Sequence, residues 1–447
     1  MDFVKFYQLC HLNLIIEILN STLWWYLYFY SSKMYQLSYS PNLKWEVKIS
    51  WSKNAALPVV AANYLLDFPV ELLNKPNISD IRNMEALAIT ALKTSKDYFD
   101  LTNDLAKKFR ASILLIPLWL IKYGKVKFVW SWWCNIGKRP LDTFDNALIK
   151  AGISITFDEN NKIYEVTWKP KRNIMLQQFS VTAAEALITY LAFCKDVDYE
   201  ITVYQVANEP HVKNLIAFLN NAWADITMWI DHTVLIKPVK KMKVKDPTFS
   251  IVSDYIEAGT YFAIWAWADQ SELTITNMDV DDLSAMYNIA EQIWINFRIL
   301  DKHTIKVDSY NKENYRALKR LEIRIFPGFP SDLQSIFWTL FTQCNWITKI
   351  FETLYEWRFG YLSELENFWA KIEILNPHEA LILWKTKLKW SYVSSTDLRW
   401  WSAMVLAGII ASWTTHITNE AIIERWYDNI IEKLNNIGVD IKQIPNE

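Results

Sequence analysis

Ile149-Lys150-Ala151-Gly152-Ile153-Ser154-Ile155 reads as a helix end, a one-residue handover and the start of an alternating strand. The block recurs at Asn221-Ala222-Trp223-Ala224-Asp225-Ile226, Gln292-Ile293-Trp294-Ile295-Asn296-Phe297, Asn367-Phe368-Trp369-Ala370-Lys371-Ile372 and Asn436-Ile437-Gly438-Val439-Asp440-Ile441. Its spacing is roughly 70 residues, too long and divergent for a solenoid. Each unit reads as strand, helix, strand, helix and a strand pair, and a degenerate first unit is expected around Asp80–Asp100. Such alternation gives an α/β fold but argues against a simple doubly wound sheet. Three units make one compact domain, so six make two. The handover slot favours left-handed backbone, which costs Gly little and strains Trp. It holds Gly in the first and last copies and Trp in the other three.

The composition repeats that oddity. The chain has 24 Trp and only 8 Gly in 447 residues. At an ordinary Gly content of about 7%, roughly 30 Gly are expected, which is what the two types amount to together. Trp also stands where Gly chemistry is expected, in Trp130-Ser131-Trp132-Trp133, Asn345-Trp346-Ile347 and Asp397-Leu398-Arg399-Trp400-Trp401. Many of these positions are therefore expected to be Gly in the source organism, as a UGA codon read there as Gly and here as Trp would give. A truly Trp-rich protein is the alternative, at the cost of large apolar rings in polar loops. Trp24, Trp25 and Trp338 give no Gly signal.

A net charge of −2, with 51% hydrophobic and 21% charged residues, excludes a disordered chain and a general nucleic-acid binder. The basic stretch Pro238–Pro247 lacks interleaved aromatics and reads as a linker between the third and fourth units. Cys10, Cys134, Cys194 and Cys344 form no paired spacing, which fits a reducing cytosol. Six scattered His suggest no metal. Residues 1–33 read as mis-assigned upstream sequence, with Met34 as the true start. A membrane anchor is the alternative, but Leu12–Tyr30 is interrupted by Glu17 and short of a clean span.

Cys134 lies in Trp130-Ser131-Trp132-Trp133-Cys134-Asn135-Ile136-Gly137-Lys138-Arg139-Pro140-Leu141-Asp142. With Trp read as Gly this is a Gly-rich loop carrying a thiol, and Lys138 and Arg139 would favour its thiolate. The loop resembles the Gly-Gly-Cys-x-Ile-Gly-x-Arg-Pro-x-Asp loop of the UDP-N-acetylglucosamine 1-carboxyvinyltransferase family of enolpyruvyl transferases. Six further stretches, in order, are similar to motifs of that family. They are Ile49-Ser50-Trp51-Ser52-Lys53-Asn54-Ala55-Ala56-Leu57-Pro58, Phe109-Arg110-Ala111-Ser112, Phe326-Pro327-Gly328-Phe329-Pro330-Ser331-Asp332-Leu333-Gln334, Glu356-Trp357-Arg358-Phe359, Thr396-Asp397-Leu398-Arg399-Trp400-Trp401 and Arg425-Trp426-Tyr427. The resemblance runs from about Tyr35 to Ile444 and places Trp51, Trp132, Trp133, Trp400, Trp401 and Trp426 in Gly slots.

The resemblance implies transfer of an enolpyruvyl group from phosphoenolpyruvate to the 3'-hydroxyl of UDP-N-acetylglucosamine, releasing phosphate, in the first committed step of peptidoglycan precursor synthesis. Such a reaction needs a base, an acid and cations for phosphate and carboxylate. Asp332 is the candidate base, although Pro-Ser-Asp on its own reads as a helix cap. Cys134 is the candidate acid and adduct-forming thiol, and the implied target of fosfomycin. Lys53, Arg139, Arg399 and Arg425 resemble the phosphoenolpyruvate clamp. Arg358 resembles a further active-site Arg, and Asp397 could orient Lys53 or Arg399. Asn54, Arg110, Arg139, Pro140, Leu141, Asp142, Ser180, Val181, Leu354 and Tyr355 match UDP-sugar contacts. For Tyr355, core packing is the competing reading.

No cofactor or metal is implied. A cytoplasmic monomer without nucleic-acid or membrane partners is expected. The implied fold is a pair of inside-out α/β barrels, one of residues 34–53 plus 251–447 and the other of 54–250, with the Cys134 loop on the latter. Two positions depart from the family pattern: Tyr255 stands where Arg is usual, and His211 where Glu is usual. A shikimate-3-phosphate transferase and a non-catalytic UDP-sugar-binding paralogue are the rival readings. The reactive Cys and the Lys-Asn-Ala-Ala-Leu-Pro motif oppose the first. Retention of Cys134, Asp332, Lys53 and the arginines opposes the second.

Overall fold

The computed structural model describes residues 33–446, apart from 44, 68, 95–98, 103–104, 107–109, 130–140, 159–160, 195–196, 269–271, 395–397 and 419–428. One sheet pattern recurs five times among the described residues. Phe99–Leu101 runs parallel to Lys125–Val129, which pairs antiparallel with Asn161–Val166, which pairs antiparallel with Ile153–Asp158. The same parallel–antiparallel–antiparallel order links Asn173–Met175, Ile201–Tyr204, Val234–Lys237 and Asp225–Met228. It links Trp45–Lys48, Glu272–Thr276, Thr304–Asp308 and Asn296–Asp301. It links Arg320–Ile323, Thr348–Glu352, Glu379–Ile382 and Ile372–Asn376. The last sheet joins Tyr392–Ser394, Thr414–Thr418, Lys33–Ser38 and Ile441–Pro445. The degenerate sixth unit is different. Its sheet is only the parallel pair Glu71–Leu73 and Thr248–Ser250, and its helix Ser79–Thr94 leads into the strand Phe99–Leu101 of the next sheet.

The handover residues explain how the pattern repeats. Gly152, Trp223, Trp294, Trp369 and Gly438 have φ of +91°, +70°, +71°, +74° and +97°. Each directly follows an outer helix, and a left-handed residue there turns the chain back along that helix into a strand. At Gly152 space is also short, because a Cβ would lie 2.1 Å from the Trp168 carbonyl oxygen. Trp346, Trp357 and Trp413 adopt φ of +82°, +57° and +72°. Among the described residues, six of the eleven non-Gly residues with positive φ are thus Trp, and the other five are Asn, Gln or His. Asn tolerates this region; a bulky ring has no such excuse.

Helices lie inside and sheets outside. Val181–Ala192 is buried at every position from Ala183 onward, Tyr255–Trp267 up to Ala266, and Gln334–Phe341 throughout. Leu398–Ile410 is buried from Trp401 to its end. Helices such as Asp142–Lys150 and Ser284–Gln292 bury one face only, so they lie at the periphery. The five sheets stay separate, and helix packing rather than a closed ladder of hydrogen bonds encloses each interior. The apolar core is in two clusters. One holds residues of 55–251, the other residues of 35–49 and 255–441.

The chain passes between these clusters twice, along adjacent strands. Ser52 donates to the Val252 carbonyl at 2.8 Å, and Asp254 donates to the Ser50 carbonyl at 2.9 Å. The stretch Pro238–Pro247 is not the loose linker expected of its polarity. Val239, Met242 and Val244 pack on the first cluster, and the Lys245 N–H donates to the Asn221 carbonyl at 2.9 Å. Apolar residues between the lysines hold it down. Among the described residues no helix is long and apolar enough to cross a membrane.

Relieving the left-handed strain is expected to stabilise the chain. An L-residue in this region costs about 1–2 kcal/mol. Trp413→Gly and Trp357→Gly should each raise the thermal midpoint, since among the described residues neither ring has a cation against it. Trp369→Gly should be closer to neutral. Its ring centroid lies 3.5 Å from the Lys389 ammonium, a contact of about 0.5–1 kcal/mol at an exposed site. Calorimetry of the three variants checks the order.

Candidate active site

Pro330 leads into a single 3-10 turn, Ser331–Leu333, which runs straight into the buried helix Gln334–Phe341. The Asp332 side chain does not cap that helix. It points outward and meets two guanidinium groups. Arg358 Nη2 donates to Oδ1 at 2.6 Å, and Arg399 Nη2 donates to Oδ2 at 2.8 Å. Both arginines are nearly buried, with side chains 9% and 6% exposed, whereas Asp332 is 30% exposed. The carboxylate is therefore held by charge-assisted bonds from two nearly buried guanidinium groups and keeps part of its surface exposed. Arg358 comes from the turn after the strand Thr348–Glu352, and Arg399 from the first turn of Leu398–Ile410. The Arg399 carbonyl accepts from Ser335 Oγ at 2.5 Å and Ser402 Oγ at 2.9 Å, which locks this helix to Gln334–Phe341.

Lys53 opens the helix Lys53–Asn63, whose cap is Ser52. A cation at a helix N-terminus opposes the helix dipole. Here the buried ammonium lies 2.6 Å from a carboxylate oxygen of Asp80, itself buried in the first turn of Ser79–Thr94. Asp80 has a role that the sequence reading missed; its only local signal was an acidic residue at a helix start.

The other expected positions distribute over both halves. Leu354 is exposed and Tyr355 half-buried, with the Arg358 guanidinium 5.0 Å from the Tyr355 ring. Core packing does not describe Tyr355. Asn54 and Arg110 are half-buried, the latter at the start of the turn Arg110–Leu115. Leu141 is half-buried and Asp142 exposed at the start of Asp142–Lys150. Ser180 caps Val181–Ala192, accepting from the Ala183 N–H at 3.4 Å, and Val181 is half-buried. Cys134, Arg139, Pro140, Asp397 and Arg425 lie outside the described residues.

A second group faces Asp332 from the other half. The helix Pro210–Asn221 starts at Glu209, and the Lys213 ammonium lies 5.0 Å from the Phe326 ring centroid. Burial pushes the Glu209 carboxyl up to about 7, with the Asp332 charge adding to the rise. Burial drives His211 down to about 4, against the pull of Asp332. Glu185, buried behind them, is pushed well up by burial and by Glu209. Tyr255 is pushed well up too, by burial first and then by Glu209 and Asp332. Both departures from the family pattern, Tyr255 and His211, thus sit in this buried zone, and each replaces a charge with a group that burial keeps neutral.

Glu209 and His211 should oppose each other in acid. His211 binds fewer protons folded than unfolded between about 4 and 6.5, so it makes stability rise with pH there. Glu209 binds more protons folded than unfolded between 4.5 and about 7, so it makes stability fall with rising pH. Urea midpoints across this range should show a falling slope in His211→Asn and a rising one in Glu209→Gln, with wild type flatter than either.

The chain matches the model of the EPSP synthase (3-phosphoshikimate 1-carboxyvinyltransferase) family over residues 38–434. It is 32% identical over 417 residues to the UDP-N-acetylglucosamine 1-carboxyvinyltransferase of Pseudothermotoga lettingae, across 90% of this chain and 97% of that one. It is 30% identical over 421 residues to the protein of that name from Helicobacter pylori, again across 90% and 97%. Among solved structures, the enolpyruvyl transferase NikO from Streptomyces tendae aligns with a TM-score of 0.81 at 17% identity, over 93% of this chain and 100% of that one. EPSP synthase from Acinetobacter baumannii aligns at 0.69 with 11% identity, over 92% and 100%. At such identities the two structures speak for the fold alone.

Proposed function

We propose a reaction for this chain, which belongs to the enolpyruvyl transferase family: transfer of the enolpyruvyl group of phosphoenolpyruvate to the 3'-hydroxyl of UDP-N-acetylglucosamine, with release of phosphate. This is the first committed step of peptidoglycan precursor synthesis. The observation that carries it is the half-exposed Asp332 carboxylate, gripped by Arg358 and Arg399. Its partial exposure suits a base that takes the hydroxyl proton. The sugar oxygen then bonds to C2 of phosphoenolpyruvate while C3 gains a proton. Loss of that proton and of phosphate restores the double bond, so atoms balance without a metal or redox cofactor.

In this reading Cys134 is the acid at C3, and Lys53, Arg139, Arg399 and Arg425 hold the phosphate and carboxylate. Arg358 orients Asp332; Asp397 adds to the Lys53 and Arg399 surroundings. Asn54, Arg110, Arg139, Pro140, Leu141, Asp142, Ser180, Val181, Leu354 and Tyr355 contact the UDP-sugar. Residues 34–53 plus 251–447 form one domain and 54–250 the other, a division that the two separate apolar clusters support. In this reading the enzyme works as a cytoplasmic monomer.

The same reading makes the strained Trp positions Gly in the native product. Six rings at positive φ support it, as do the indole N–H groups of Trp265 and Trp338, buried without an acceptor. The second of these adds Trp338 to the Gly candidates. Trp132 and Trp133, beside Cys134, are the replacements with the largest expected effect on turnover.

Phosphate release from phosphoenolpyruvate and UDP-N-acetylglucosamine tests this directly. A chain starting at Met34 with Gly at the argued positions should turn over, and the literal chain should be slower. Equal rates would discard the Gly reading and keep the transferase. Turnover with shikimate 3-phosphate instead, or UDP-sugar binding without turnover in a folded chain, would discard the transferase as stated.

Asp332→Asn keeps the shape and removes the base. It should lower kcat by about 10²–10⁴ while leaving affinity for phosphoenolpyruvate within a few fold. Steady-state rates against both substrates check it.

A further inference from the structure

Glu352 ends the strand Thr348–Glu352 and is wholly buried. Its Oε2 accepts from Ser331 Oγ at 2.5 Å and from Gln334 Nε2 at 2.9 Å. Its Oε1 accepts from the backbone N–H of Leu354 at 2.8 Å and of Tyr355 at 3.3 Å. All four partners are donors. The Glu352 carboxylate can only accept, so the Gln334 amide turns its NH₂ toward it and its Oε1 accepts from the Tyr361 hydroxyl at 3.0 Å. Arg358 Nη1 donates to Ser331 Oγ at 2.7 Å, so the single Ser331 hydrogen is left for Glu352. The other Arg358 nitrogen holds Asp332.

We propose that Glu352 is a positioning residue of the active site, one buried carboxylate that sets the turn bearing Asp332 against the Leu354-Tyr355 backbone. The inference rests on the transferase reading, in which Asp332 is the base and Leu354 and Tyr355 meet the UDP-sugar. Glu352 touches no substrate. It fixes the separation between the base and the edge that holds the hydroxyl it must reach. Because both partners of Oε1 are backbone N–H groups, that half of the network cannot reverse its direction.

Glu352→Gln is the test. The amide is the same size, but its NH₂ must face either the Leu354 and Tyr355 N–H groups, which cannot accept, or Ser331 and Gln334, which would have to reverse to accept. In the Met34-start chain, kcat should fall about a hundredfold, the scale of a misplacement near 1 Å. KM for UDP-N-acetylglucosamine should rise and KM for phosphoenolpyruvate should stay. Amide exchange at Leu354 and Tyr355 should quicken while that of helix Gln334–Phe341 does not, a split that general destabilisation would not give. Unchanged kinetics or unchanged exchange at Leu354 and Tyr355 would overturn the proposal. Where Glu352→Gln fails to fold, Ser331→Ala decides, because it cuts the link from Glu352 to the Asp332 turn, together with the Arg358–Ser331 bond, and leaves the Leu354 and Tyr355 bonds in place. It should lower kcat with KM for the sugar unchanged, and a kcat equal to the parent would overturn the proposal. If the parent itself transfers nothing, the transferase reading falls, whereas the exchange measurement still tests Glu352.

Discussion

A single left-handed residue after each outer helix is the constraint on which this architecture turns. The helix must reverse into a strand within two to four residues, or the strand misses its register and its apolar face turns to solvent. Phe128 lies opposite Lys162 and Ile155 opposite Tyr164, and the same pairing order returns in the other sheets, with a register shift between Ile299 and Asp301 and between Ile374 and Asn376. That is why φ at the five handovers clusters between +70° and +97° although the residues differ. The backbone requirement is constant, and the side chain is what accommodates it. Where the ring of Trp occupies the slot, neighbouring cations cover it: Lys243 over Trp223, Arg316 over Trp294 and Lys389 over Trp369. Those contacts recover about 0.5–1 kcal/mol each, less than or comparable to the strain.

The second element of the design is the double crossing. Glu257 is buried beside it and receives the Ser50 N–H at 2.6 Å and the Lys433 ammonium at 2.8 Å. Burial pushes its carboxyl up while Lys433 opposes that rise. Asp254, next along, caps Tyr255–Trp267 through the N–H groups of Ile256 and Glu257. Burial raises it too, and Arg399 pulls the other way. The joint between the halves and the Asp332 site therefore share an electrostatic neighbourhood, in which removing one charge alters what its neighbours experience.

Local chemistry was legible from the residues alone. The handovers, the outer helices and the motif stretches need only nearby sequence to be recognised. Asp332, Arg358 and Arg399 were each visible in motifs, but their mutual grip spans 26 and 67 residues and had to come from the fold. Glu352 and Asp80 were invisible because a buried carboxylate is justified only by its tertiary donors. Polarity misled at Pro238–Pro247, where half-buried apolar residues alternate with exposed lysines. The first unit was legible only as degenerate, because its helix kept the pattern while its strand pair did not.

The strand Lys33–Ser38 lies between Thr414–Thr418 and Ile441–Pro445, pairing with both. On the ribosome it is the first described strand to emerge and must wait for nearly the whole chain before either partner exists. Residues 55–251 can collect their own core during that wait, because their cluster borrows nothing from later sequence. The first strand meanwhile presents unpaired N–H and C=O groups on both edges, a template for pairing with other nascent chains. Slow synthesis of the final stretch would prolong that exposure. Yield in a foreign host should therefore follow the speed at which the two C-terminal partner strands are delivered more closely than the stability of the finished fold.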